Sequence, residues 1–117
     1  MVLFRNFAAA AIFAAMGISA HAETVDVKYH GRVELSRFEC NSISRSSFIR
    51  RVCYAPQQRY MVIDLDGIYY HHCAIDAGTI RGLLGADSMG RFYNANIRSR
   101  GSARGPFDCR DHPVPRM

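Results

Sequence analysis

GIYYHHCAIDAGTIRGLLGADSMGRFYNANIR, the run from Gly67 to Arg98, carries most of the information about the fold. Asp66-Gly67 opens it with a tight-turn signal, because glycine accepts the positive φ that a two-residue hairpin loop needs. Ile68 to Cys73 (IYYHHC) is rich in aromatic and β-branched residues and is expected to be a strand. Asp76 is placed to cap a helix whose apolar side is Ala77, Ile80, Leu83 and Leu84. Gly82 weakens that helix and Gly85 ends it. Ser88 caps a second helix, with Met89, Phe92, Tyr93 and Ile97 along one side.

Working outward, Phe48 to Tyr54 (FIRRVCY) and Tyr60 to Leu65 (YMVIDL) have strand composition, and Ala55-Pro56-Gln57-Gln58 between them is a turn. Three strands joined by two tight turns make an antiparallel meander. Before it, Glu23 to Tyr29 alternates Val25, Val27 and Tyr29 with polar neighbours, as an edge strand or extended arm would. Gly31 breaks that pattern. Arg32 to Cys40 alternates again with Val33, Leu35 and Phe38 inward, and Asn41 to Ser47 is a polar loop. After the helices, Ser99 to Pro106 is Gly, Ser and Arg without apolar period, and the tail ends His112-Pro-Val-Pro-Arg-Met117. The expected fold is α+β: a three-stranded meander followed by two short helices. Residues 23–46 form an extended N-terminal arm, residues 47–98 the domain, and residues 99–117 a loop and tail.

Residues 1–22 have the pattern of a cleaved export signal. Arg5 precedes an Ala-rich apolar run from Phe7 to Ile18, and Ser19-Ala20-His21-Ala22 offers a small-x-small cleavage site. The apolar run is about a dozen residues, whereas a membrane span needs roughly 20. The expected location is therefore the periplasm or the outside of the cell. The formal net charge of the 117 residues is +5, and Lys28 is the lone lysine beside an excess of arginine. Arginine favours planar anionic partners such as carboxylate and phosphate.

The chain has 4 cysteines. In a small exported domain, Cys40, Cys53, Cys73 and Cys109 are expected to form two disulfides. None of their spacings suits a zinc site. The meander puts Cys53 and Cys73 at one end of the sheet with the central strand between them. Two inter-strand spacings come to roughly 9–10 Å, beyond the reach of a disulfide at about 7 Å. Each must then pair with Cys40 or Cys109. Chain proximity favours Cys40–Cys53 with Cys73–Cys109, on a register that places Cys53 near Tyr60 or Met61. Either pairing would staple the arm and the tail to the meander.

The motif Gly67-x-x-Tyr70-x-His72-x-x-Ile75, continued by Leu83-Leu84-x-Ala86-x-Ser88-x-Gly90-Arg91-Phe92-Tyr93-Asn94-x-x-Ile97-Arg98, resembles the KTSC domain. That small bacterial module also occurs at the C-terminus of some lysyl-tRNA synthetases. The resemblance covers about Ser47 to Arg98. The family carries a Tyr-x-Tyr in its central strand, and here His72 stands at the second tyrosine. The resemblance implies RNA binding, which has been suggested for the family on grounds of context.

On a strand, Tyr70 and His72 share one face while Tyr69 and His71 share the other. Tyr70 and His72 could stack against a ligand or pack beneath a helix with their polar ends satisfied. Adjacent strand histidines point to opposite sides, so His71 and His72 are not expected to ligate one metal. Arg91, Asn94 and Arg98 recur at helical spacing and form a polar stripe, extended by Arg100 and Arg104. The expected binding residues are thus Tyr70, His72, Arg91, Asn94 and Arg98. Partners would be an anionic ligand or another envelope protein. No paired carboxylates, nucleophile elbow, phosphate loop or cofactor fingerprint is present. A non-enzymatic binding module is the leading reading, with nucleic-acid or polyanion binding next. A small hydrolase using His71 or His72 as base comes last.

Overall fold

The structure, a computed structural model, describes residues 22–117. The expected leader, residues 1–22, falls outside them apart from Ala22. Six strands and two helices follow in order: β1 Thr24–Val27, β2 Gly31–Glu34, β3 Glu39–Ser42, β4 Ile49–Ala55, β5 Tyr60–Leu65, β6 Ile68–His72, α1 Ala77–Gly85 and α2 Met89–Asn96. All six strands join one sheet in the order β2-β1-β6-β5-β4-β3. Neighbours are antiparallel except β1 and β6, which run parallel and meet at Val27 and Tyr69.

Alternation along the central strands divides the molecule into two cores. Val52, Tyr54, Met61 and Ile63 face the helices and pack with Ile80, Leu83, Met89, Tyr93 and Ile97. Cys53, Ala55, Tyr60 and Val62 face the other way and pack with Val27, Val33 and Leu35. A short chain covers both sheet faces because the sheet curls. In a flat sheet, β1 and β4 would lie three spacings apart, about 14 Å. Here Glu23, just before β1, makes a bidentate ion pair with Arg51 of β4 at 2.6 and 2.9 Å. Phe38 and Tyr60 likewise meet across the concave face, ring centres 5.9 Å apart.

The helices start where the sequence places their caps. The Asp76 carboxylate accepts from the Thr79 amide at 3.0 Å, and the Ser88 hydroxyl accepts from the Arg91 amide at 3.2 Å. At the far end of α1, the Arg45 guanidinium donates to the carbonyls of Ala86 and Leu84 at 2.9 and 2.5 Å, supplying the cation that a helix C-terminus favours. Gly82 has a packing reason. A Cβ there would come within 2.7 Å of the Phe92 ring, so the missing side chain lets α2 approach α1.

The meander is present but is only half of the sheet. The expectation of a three-stranded sheet with a detached arm is corrected: the arm supplies β1, β2 and β3. Its strands are 4 residues each, too short for alternation to distinguish them from an extended tether. The two-residue turn at Asp66-Gly67 has φ of 54° and 95°. In the other turn Ala55 pairs with Tyr60, so Cys53 sits opposite Val62 rather than Tyr60 or Met61. The turn occupies Pro56 to Arg59, one residue later than expected, and Arg59 takes a positive φ of 51° to close it.

The disulfides are Cys40–Cys53 and Cys73–Cys109. The first joins directly opposed residues of β3 and β4. The second holds the tail against the concave core, where Val114 packs and the Cys73 amide donates to the Phe107 carbonyl at 2.8 Å.

Two stability measurements check this packing. The two bonds close sequence separations of 13 and 36 residues. Replacing Cys73 and Cys109 together by Ala should cost about 4 kcal/mol in urea unfolding, against about 3 kcal/mol for the Cys40 and Cys53 pair. Gly82→Ala should lower stability by about 1–3 kcal/mol through overpacking against Phe92, although alanine is the better helix former. A stabilised Gly82→Ala protein would show that the helices do not approach closely there.

Candidate functional site

The expected site residues separate into a buried half and an exposed half. Tyr70 and His72 lie on the helix-facing side of β6, as alternation requires. His72 is 7% exposed and sits beneath α2. Its Nε2 is 2.9 Å from the Tyr93 hydroxyl, with the rings edge to face at 5.5 Å. Burial pushes the His72 imidazole down to about 4, with His71 adding to the effect. Burial also pushes the Tyr93 phenol up, to about 12. At neutral pH both groups are uncharged and satisfy each other. His72 thus lies buried on the helix-facing side of the sheet, with the Tyr93 hydroxyl as its partner.

Tyr70 is half-buried and packs at the margin of the helix-side core. The Lys28 ammonium lies 5.8 Å from its ring centre and 5.2 Å from that of Tyr29. Tyr29 itself is 93% exposed at the tip of the β1–β2 hairpin.

The polar stripe of α2 stays at the surface, where Arg91 and Arg98 are exposed and Asn94 is half-buried. Arg98 Nη1 donates to Asn94 Oδ1 at 3.0 Å, and Arg100 donates through Nε to the Asn94 carbonyl at 3.0 Å. One asparagine thus gathers two guanidiniums at the helix end. They border a shallow groove of about 380 Å³ lined also by Ser99 and Gly101. Among the described residues the ion pairs are Arg50–Asp66, Arg51–Glu23, Arg104–Asp111 and Arg110–Asp108, so neither Arg98 nor Arg100 is paired with a carboxylate there. Arg104, expected to extend this patch, is committed to Asp111 at 2.7 Å. Arg91 is exposed on the same stripe but does not line the groove.

A second cluster escaped the sequence reading. On the concave face His71 Nδ1 is 2.8 Å from the hydroxyl of Tyr60, a fully buried residue. The His30 ring lies 4.9 Å from that of His71, tilted by 32°. His30 is 41 positions upstream in the chain, and only the pairing of β1 with β6 brings it here. Burial lowers the His71 imidazole from its ordinary range, and His30 lowers it further, while Asp108 acts in the opposite sense. No group of three or more His, Cys, Asp or Glu suited to a metal occurs among the described residues. No helix among them is long and apolar enough to cross a membrane.

Acid should therefore destabilise the protein between pH 6.5 and about 4. The folded His72 resists the proton that the unfolded chain accepts, so the stability it contributes is complete above pH 6.5 and is lost as pH falls toward 4. The loss at this one site is about 3 kcal/mol, with His71 acting in the same direction. His72→Phe should flatten the slope in urea titrations across this window. At neutral pH it should cost about 1–3 kcal/mol, because the Tyr93 hydroxyl loses its partner. An unchanged slope would show that His72 is not buried neutral.

Residues 45–100 match the family model of the KTSC domain. They span the loop before β4, the meander, both helices and the first residues of the Arg-rich loop. No curated protein matches the chain.

Proposed function

With a KTSC domain at residues 45–100 as the premise, we propose that the chain is an exported, non-enzymatic binding module that takes an anionic ligand at the end of α2. The observation behind this reading is the convergence of Arg98 and Arg100 on Asn94 without a carboxylate partner, beside an open groove. Guanidiniums held by neutral acceptors are oriented yet still carry a charge to offer. Arg91 extends the positive field along the same helix face. Two disulfides agree with an oxidising compartment.

The groove is shallow and its cations are exposed. Binding would rest on electrostatics and counterion release more than on enclosure, which suits a polymeric anion, whether nucleic acid or acidic polysaccharide. The hydrolase reading has little support. His71 and His72 each face a tyrosine hydroxyl, and Tyr60 and Tyr93 are held far up their titration range by burial.

Titration of the oxidised protein with single-stranded nucleic acid and with a sulfated polysaccharide, at 50 and 200 mM salt, tests the proposal. Affinity for at least one polymer should fall on the order of tenfold or more as salt rises. The double variant Arg98→Gln with Arg100→Gln should bind at least tenfold more weakly at low salt while keeping its thermal midpoint. No binding at low salt, or a double variant that binds as the parent does, would contradict it.

A further inference from the structure

The His30–His71 pair serves neither the helix-side core nor the arginine groove. Two imidazoles from distant parts of the chain face each other at 4.9 Å on the concave side of the sheet. Beside His30 lies a cavity of about 270 Å³, lined also by Glu34, Tyr60 and Met117. From this arrangement we propose that His30 and His71 form a two-imidazole site for a borderline transition-metal cation of the Cu(II) or Zn(II) type, with its remaining positions filled by water.

The distance fits that chemistry. A metal lies about 2.0–2.1 Å from each ligating imidazole nitrogen. With the metal in the plane of each ring, two ring centres then fall about 4.5–5.2 Å apart for angles between square-planar and tetrahedral. The observed spacing is inside that interval.

The orientation of His71 is also set as a ligand requires. Metal-binding histidines commonly commit their second nitrogen to a hydrogen bond that fixes ring and tautomer. The Tyr60 hydroxyl does this for His71 Nδ1 at 2.8 Å, and Tyr60 is itself fully buried. The Nε2 atom of His71 is left as the ligating atom. His30, on the exposed loop between β1 and β2, can turn to meet a cation. The charges around the pair are mixed. Glu34 and Arg32 both line the cavity, and Asp108 favours positive charge on His71. Among divalent ions, nitrogen sites of this kind favour Cu(II) most.

Such a site would tie the β1–β2 hairpin to β6, so the metal would stabilise the folded state by linkage. The test uses the oxidised full chain from Glu23, metal-free, melted with and without a tenfold excess of CuCl₂ or ZnCl₂ at neutral pH. The thermal midpoint should rise with at least one ion, and the Cu(II) spectrum by electron paramagnetic resonance should show coupling to imidazole nitrogen. His30→Ala, at an exposed loop position, should keep the metal-free midpoint and lose the metal-dependent rise, with affinity down at least tenfold. His112→Ala should leave the rise intact. No rise with either ion would overturn the assignment. So would a rise that survives in His30→Ala or disappears in His112→Ala.

Discussion

Strand β6 is the member on which the other parts depend, because it is engaged on both faces and both edges. One edge pairs with β5 along its length. On the other, the Lys28 amide donates to the Tyr69 carbonyl at 2.9 Å, and just past the strand the Cys73 amide donates to Phe107. One face sends His72 beneath α2, and the other sends His71 to Tyr60 and His30. A strand so enclosed must satisfy every polar group it carries, since an unpaired buried group costs about 1–3 kcal/mol. The two histidine–tyrosine hydrogen bonds are the means. Each lets a polar side chain sit in a core without carrying charge.

The portions legible in the sequence are those governed by local chemistry. Asp76 and Ser88 advertised helix starts because a short side-chain acceptor ahead of an apolar period has one obvious use. Asp66-Gly67 marked its turn through the positive φ that glycine tolerates; the strand order of the meander excluded Cys53–Cys73, and chain proximity then favoured the pairing found. The KTSC motif, read across Ser47 to Arg98, lies within the matched residues 45–100. Within the motif, alternation set the two faces of β6.

Other features were hidden because they depend on non-local pairing. Nothing near His30 signals that a parallel bridge between Val27 and Tyr69 will bring it to His71. The four-residue strands of the arm carry too few alternations to declare a sheet partner, so a six-stranded curl looked like a meander with a tether. At His72 the sequence left two readings open, a ligand contact or packing beneath a helix with the polar end satisfied. Tertiary structure gives the residue a partner in Tyr93, 21 positions away, a distance that no local pattern encodes. The arginine stripe was visible as a helical period. Its division into Arg98 and Arg100, which are free of carboxylates, and Arg104, which is bound by Asp111, required the folded tail.

The consequence for function is a division of labour between the two sheet faces. The helix face is a packed core that ends in an exposed arginine groove, while the concave face is closed by the arm, the tail and both disulfides. That division stands or falls with the arm being part of the sheet. Native-state amide exchange at Lys28 addresses it most directly. The Lys28 amide should exchange as slowly as those of β5, such as Val62, opening only with global unfolding. Rapid exchange at Lys28 while β5 and β6 stay protected would return the arm to a loose tether and remove the concave face with it.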